Sequence, residues 1–464
     1  MKRIIYTLLL AVLCSAVYGC YEDKGNYDYR TIPESSISNL PEQHTAYRFN
    51  MLRLSPEIVT ENGEDTFTYS WSLYDNNTLL YEISTERELA YEVNEKSGNY
   101  NLFFKVVSDK TDVPLLGKVS LDIRTINTEG VYVLKETAGG KAEIDLHLKN
   151  GRVQENYLAG NLFTSMEGKP LDIMEHPGYS DLMVLTEKDF FRINHRDAEL
   201  FRTTDEMFFN VPEQKEFQSY YNDGESEGLI NNGILYRIYT RSSNSGRFGD
   251  PLRAPDKTMN YKLFPKAIAQ PHGTLFDMKS RSFWRASNNS SNFTPMVTYG
   301  EFPLTNMEYD LVFWGWGAFF DRIIYALMKH VTTGEYILLT LHSTSQVSDT
   351  ESFKEYVGVS SDSGLANATL RVTHGRFPIL YYVKDNKVMR CRLTGEQETL
   401  VYTPPSGETI THIEEVPSPA SLTIYSHKGE RYYIRRFDTY YKGNGDLGEQ
   451  KLSLEGNGRA VALY

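Results

Sequence analysis

Two patterns of apolar and polar positions divide the chain. Up to about residue 126 the apolar positions fall on every second residue. In FTYSWSL, Phe67, Tyr69, Trp71 and Leu73 alternate with Thr68, Ser70 and Ser72. Period two places the four large side chains on one face, which predicts a half-buried strand with Trp71 in a core. GNYNLFFKVVSD repeats the pattern with Tyr100, Leu102, Phe104 and Val106, and GKVSLDIRT with Val119, Leu121 and Ile123. Short alternating strands over about ninety residues predict a small β-sandwich, residues 40–126.

From residue 127 a different unit recurs: an apolar strand, a polar turn, a second apolar strand. It occurs at GVYVLKETAGGKAEIDLHL from Gly130, DLMVLTEKDFFRI from Asp181, and NGILYRIYT from Asn232, whose partner strand is obscure. It returns at LFDMKSRSFWRA from Leu275, IIYALMKHVTTGEYILLTL from Ile323, PILYYVKDNKVMRCRL from Pro378 and LTIYSHKGERYYIRRF from Leu422. The recurrences lie roughly 40–55 residues apart, near the ~40–50-residue period of propeller blades. A blade is a four-stranded sheet that cannot bury both faces alone, so blades must stack around an axis. Residues 127–464 are therefore expected to form a β-propeller of seven blades. Six or eight blades, or a pair of sandwiches, also fit the spacing. Leu452, Leu454, Val461 and Leu463 near the end can supply a closing strand that pairs the two ends of the ring. The greasiest stretch, Asp310 to Met328, is interrupted by Asp321 and Arg322 and reads as a buried strand pair rather than a membrane span.

The first twenty residues follow neither pattern. Lys2 and Arg3 precede an apolar run from Ile4 to Val17, the length of a signal h-region and short of the ~20 residues that span a bilayer. Val17 and Gly19 stand at −3 and −1 before Cys20, a pattern that resembles the bacterial lipobox, with Tyr18 larger than usual at −2. The resemblance implies cleavage after residue 19 and diacylation of Cys20. An ordinary secretory signal cleaved near Gly19 is the alternative. Glu22 and Asp23 then resemble the export signal that sends Bacteroidota lipoproteins to the outer face of the outer membrane. Residues 20–39 are polar and read as a tether.

Composition narrows the function. Lys and Arg number 48 against 61 Asp and Glu, a net charge of −13 that deepens when Lys2 and Arg3 are removed. An acidic body argues against nucleic acid and against direct adhesion to anionic lipid, leaving the lipid anchor as the membrane contact. Beyond Cys20 only Cys391 remains, which excludes an internal disulfide between ordinary cysteines and a zinc site built of cysteines.

Two resemblances follow. TYSW, with SGNYNLFFKVVSD some thirty residues later, resembles the PKD fold, although LYDNNTLL replaces its usual acidic, glycine-rich turn. The start CYEDKGNYDY, this domain and the GVYVLKE opening together resemble the PKD-like lipoproteins of Bacteroidota. That family implies an accessory role beside a SusC-type TonB-dependent transporter and a SusD-type lipoprotein, among other surface lipoproteins. Oligopeptides are the implied cargo and glycans the next.

The search for chemistry finds no HExxH, no G-x-S-x-G and no P-loop. His272 and His374 each precede a glycine in a loop, and the acidic loops Asn222 to Gly228 and Lys442 to Gly448 lack the spacing of a calcium loop. No catalytic residue, cofactor or metal is expected. The candidate ligand-binding residues are Trp284, Trp314 and Trp316, the last two beside glycines in FWGWGAFF with Phe319 and Phe320, since a glycine neighbour lets a ring lie flat on a ligand. Packing between blades is the alternative role. The expected function is a non-catalytic, surface-exposed component of a nutrient importer. A propeller-based glycan hydrolase or lyase, and an adhesin, are the rivals.

Overall fold

The structure, a computed structural model, describes residues 35–464 apart from 61–64, 111, 125–129, 158–165, 176–180, 195–198, 223–225, 240–245, 269–272, 287–289, 297, 299–301, 318–322, 343–351, 394–396, 418 and 441–443. The chain forms two compact units, one ending at Arg124 and the other starting at Thr125.

The first unit is a sandwich. One sheet has five strands in the order Gln43–Tyr47, Pro114–Arg124, Gly98–Ser108, Phe67–Asp75 and Thr78–Ser84. Two ribbons complete it, Ser35–Ser38 with Glu57–Thr60 and Met51–Leu54 with Leu89–Glu92. The alternation read from the sequence is the alternation observed: Trp71, Leu73, Leu102, Phe104, Val106, Val119, Leu121 and Ile123 are all buried in one core with Leu52, Leu54 and Leu89. Trp71 stacks on Phe104 at 4.3 Å between ring centroids, and its Nε1 donates to the Glu86 carbonyl at 3.0 Å. The tryptophan thus buries its rings without leaving its one donor unpaired.

The second unit is a propeller of seven sheets among the described residues. Each of the seven sequence recurrences is the central hairpin of one sheet, in chain order. The obscure partner of the Asn232 recurrence is the strand before it, Ser226–Asn231, which turns into Ile234–Tyr239 through Asn232 and Gly233. Both turn residues have positive φ, 49° and 75°, the conformation that a two-residue hairpin demands and Asn-Gly supplies at least cost. The first sheet is closed by the last strand: Arg459–Leu463 pairs with Gly130–Glu136, as expected from the terminal alternation. In the fourth sheet the innermost position is taken by the irregular segment 261–268, which bridges to the next strand at Leu263 and Ile268.

Successive sheets bury their faces against each other. Met183, Leu185 and Phe190 of the second meet Phe217 and Leu229 of the third, and Ile230 and Leu235 of the third meet Leu275 and Trp284 of the fourth. The series continues around the ring and ends where Tyr432 and Ile434 of the seventh meet Val133 and Leu463 of the first. Asp310 and Met328 lie in the paired strands Tyr309–Trp316 and Ile323–His330 of the fifth sheet, and no helix among the described residues is long and apolar enough to cross a membrane.

Candidate functional site

Stacking seven sheets radially brings one strand of each to the axis. Pro170–Glu175 of the second sheet and Thr409–Pro417 of the seventh are two of these, and segment 261–268 serves the fourth. Within them, apolar residues point into the cores between sheets: Ile173 is 3% exposed and Ile413 also 3%. Their neighbours Asp172, His412 and Glu414 are not buried in that way. A bulge between Ile410 and His412 shifts the phase of the seventh sheet's strand. Lys266 stands on the fourth sheet's segment, where its backbone carbonyl accepts the Trp314 Nε1 hydrogen at 3.1 Å.

These four groups act on one another. Burial pushes the Asp172 carboxyl up to about 7, helped by the negative charge of Glu414 and opposed by the Ile173 amide and by Lys266. Burial also raises Glu414, against the Tyr425 hydroxyl that donates to its Oε2 at 2.7 Å and against Arg436 and Lys266. Lys266 is lowered by burial, against the attraction of Asp172 and Glu414. His412 is held down at about 4 by burial and by Lys266. Charges on the second, fourth and seventh sheets of a ring influence one another strongly only across its axis. Solvent reaches Lys266 and His412, yet the surrounding protein lowers both through burial. The inner strands of a propeller line a central shaft, and on such a wall solvent touches a side chain that protein otherwise surrounds. Lys266 makes no side-chain hydrogen bond or ion pair among the described residues.

A second pair sits beside the shaft. Glu415 Oε1 accepts the Gly375 amide at 3.0 Å and lies 3.8 Å from His374 Nδ1. Burial pushes Glu415 up to about 7 and His374 down to about 4, so both are neutral over much of the acidic range.

The residues singled out from the sequence lie elsewhere. Trp284 is buried between the third and fourth sheets and stacked on Phe293, and Trp314 is fully buried beside Phe283. Both rings pack between blades; Trp284 also borders a cleft of about 550 Å³ with Asp256, Asp277 and Lys279, and Trp314 anchors the backbone that carries Lys266. Trp316 is half-buried against the same core as Trp314. Asp446, in the second acidic loop, is held by Arg390 at 3.0 Å. Cys20, Glu22, Asp23, His272, Phe319 and Phe320 lie outside the described residues. Sequence reading missed Asp172, Lys266, His412 and Glu414, since no motif links them. The available signal was an acid between apolar residues in PLDIME and an acidic pair between Ile413 and Val416 in THIEEV, each just before a recurrence.

Sandwich, seven-sheet ring and polar axis together define the class: an all-β protein with a PKD-like domain followed by a β-propeller. The profile of the PKD-like family matches residues 20–173, starting on the cysteine of the sequence junction and ending in the innermost strand of the second sheet. No curated protein matches. Among solved structures, a quinonprotein alcohol dehydrogenase-like protein from Bacteroides thetaiotaomicron is similar over 94% of this chain and 99% of its own, with a TM-score of 0.52 and 12% identity. The extracellular domain of a putative one component system from the same organism covers 70% of this chain and 46% of its own, at 11% identity and a TM-score of 0.34. An oligogalacturonate lyase from Vibrio parahaemolyticus covers 75% and 100%, at 9% identity and a TM-score of 0.39. At such identities the first likeness speaks for the fold alone.

Proposed function

We propose that this chain is a lipid-anchored protein of the outer membrane, displayed on the cell surface, that serves a SusC/SusD-type importer as a capture component for oligopeptides rather than as an enzyme. The observation that supports the reading is the inner edge of the ring, where the innermost strands carry Asp172 and Glu414 and the fourth sheet's inner segment carries Lys266, which has no side-chain partner among the described residues. An oligopeptide brings an ammonium, a carboxylate and amides between them. A site holding both signs of charge, already withdrawn from bulk water, can pair with each at small further desolvation cost. A neutral glycan supplies no anion for the lysine. The PKD-like profile starting at Cys20 supports the anchor. On a membrane, a tethered body meets a neighbouring transporter at high effective concentration, so modest contacts suffice for a complex.

Calorimetric titration of the purified protein with short peptides and with neutral oligosaccharides of similar size tests the ligand. Peptides should bind, and Lys266→Ala should weaken them about tenfold or more, the worth of one charge-assisted contact. Binding of the sugars alone sinks the peptide reading. For the partner, a tagged copy drawn from detergent-solubilised outer membranes should bring the importer pair with it. Recovery of this protein alone, with the importer abundant in the same membranes, counts against the importer role.

One observation favours a second reading. A carboxyl held at about 7 beside another carboxylate is suited to acid–base work near neutrality, as a surface hydrolase or lyase requires. Turnover of a peptide or polysaccharide panel that Asp172→Asn abolishes would replace the capture reading.

A further inference from the structure

Where the seventh sheet closes on the first, a cleft of about 590 Å³ opens, within the range of small-ligand sites. Its apolar wall includes Val131 of the first sheet and Val416 and Leu452 of the seventh. Val131 and Leu452 also pack on the core of the closing seam. Three cations face this wall: Arg376, Arg436 and Lys451. Arg376 lies over the Tyr440 ring at 4.5 Å, and Lys451 pairs with Glu449. The one acid of the lining, Asp438, accepts the Tyr440 amide at 2.7 Å.

Arg436 differs from the other arginines of its sheet. It is half-buried, and its Nε donates to Thr423 Oγ1 at 2.9 Å. It makes no other hydrogen bond and no ion pair among the described residues, so both terminal nitrogens of the guanidinium are unspent. Its neighbour Arg435, on the opposite face of the strand, grips Glu408 with two nitrogens at 2.7 and 2.9 Å. Arg435 shows a guanidinium fork satisfied within the fold, and Arg436 the same fork left open beside a cavity. A planar fork of this kind matches a carboxylate with two parallel hydrogen bonds. Arg436 is only half-buried, so its terminal nitrogens stay open to a ligand entering the cleft.

We propose that this seam cleft binds a carboxylate borne on an apolar group, with the Arg436 fork on the carboxylate and the Val131, Val416 and Leu452 wall on the apolar part. The choice of a peptide C-terminus as the source rests on the capture reading above.

The test is calorimetric titration of the whole protein with three probes: a tetrapeptide ending in a free leucine carboxylate, the same peptide as its C-terminal amide, and N-acetyl-leucine. The free acid should bind at least about tenfold tighter than the amide, and Arg436→Gln should bring the two to parity. Arg436→Lys, which keeps the charge and loses the fork, should lose most of the preference; it carries the test if the glutamine variant fails to fold. Acid and amide binding equally well in the unmodified protein overturns the cleft and leaves the capture reading standing. N-acetyl-leucine binding that depends on Arg436, without peptide binding, upholds the cleft and sinks the capture reading. No binding of either carboxylate overturns the cleft.

Discussion

Lys135 is an ammonium with 4% of its side chain exposed, tolerable because Asp145 meets it at 2.8 Å. The same carboxylate accepts the Asn156 amide at 3.0 Å and the Tyr432 hydroxyl at 3.1 Å, and Tyr432 in turn lies 2.6 Å from His147 Nε2. Tyr432 belongs to the seventh sheet, and the others to the propeller's first sheet and the turn after it, so this network pins the seam as well as the charge. Asp145→Ala should therefore cost about 3 kcal/mol, because it leaves the buried cation with only Glu143, at 3.8 Å, as counterion. Urea unfolding measures it, and a loss under about 1 kcal/mol would mean that water replaces the carboxylate there. A pH dependence belongs to the same scale. His374, held at about 4 against its ordinary 6.5, contributes stability above pH 6.5 that is lost as pH falls through 4. Glu415, held at about 7 against its ordinary 4.5, contributes stability below pH 4.5 that is lost as pH rises through 7. Between these windows the two oppose each other. Above pH 6.5 only Glu415 of the pair still titrates, with Asp172 shifted in the same sense. The melting temperature should thus decline from about pH 6.5 to 8, and Glu415→Gln should flatten the decline. An equally steep limb in the variant would assign it to other groups.

At the scale of elements, what the sequence disclosed depended on how each strand is buried. Phe67–Asp75 and Gly98–Ser108 bury alternate residues, so period two revealed them and their inward faces. The central hairpins of the propeller, such as Asp181–Thr186 with Phe190–Asn194, are buried on both faces and read as paired apolar runs around a polar turn. The innermost strands were harder to read. Arg371–Thr373 has three residues and segment 261–268 makes only isolated bridges, too little for any periodicity. Lys266 lies on such a segment, while Asp172, His412 and Glu414 lie on Pro170–Glu175 and Thr409–Pro417, where bulges at Pro170/Asp172 and Ile410/His412 break the alternation. The tryptophans read ambiguously for a related reason: a glycine beside an aromatic ring signals a close approach without saying to what. Beside Trp314 and Trp316 the close approach is internal, since a Cβ at Gly315 would meet Thr373 Oγ1 at 2.5 Å. The closing strand gives the scale its prediction. Ala462 pairs with Leu134 in the ladder that joins the two ends of the ring. Ala462→Pro removes a ladder donor and should destabilise the propeller by about 3 kcal/mol or more. Leu116→Thr, at a position 67% exposed in the sandwich, should change stability by less than about 0.5 kcal/mol. Equal melting of the two variants would mean that the ring does not depend on that closure.

For the whole molecule, the proposed place at a membrane must be reconciled with an acidic body. Its net charge of −13 repels an anionic surface, so retention there needs an anchor rather than adhesion. A single acyl chain gives only marginal binding, whereas two chains on one cysteine give stable attachment, since each buried CH₂ adds about 0.8 kcal/mol. We therefore expect Cys20 to take palmitate label in growing cells, and Cys20→Ala to lose both the label and the membrane fraction. Lipidation alone does not choose a face of the membrane. Glu22 and Asp23 are proposed to make that choice, because they adjoin the anchor and resemble an export signal. Replacing both with alanine should leave the label intact but shield the protein from proteinase on unbroken cells. The separation of the two readouts is what makes the experiment decisive. Loss of label in the acidic double variant would place these residues in signal processing instead. Continued digestion on intact cells would show that surface display is specified elsewhere in the chain.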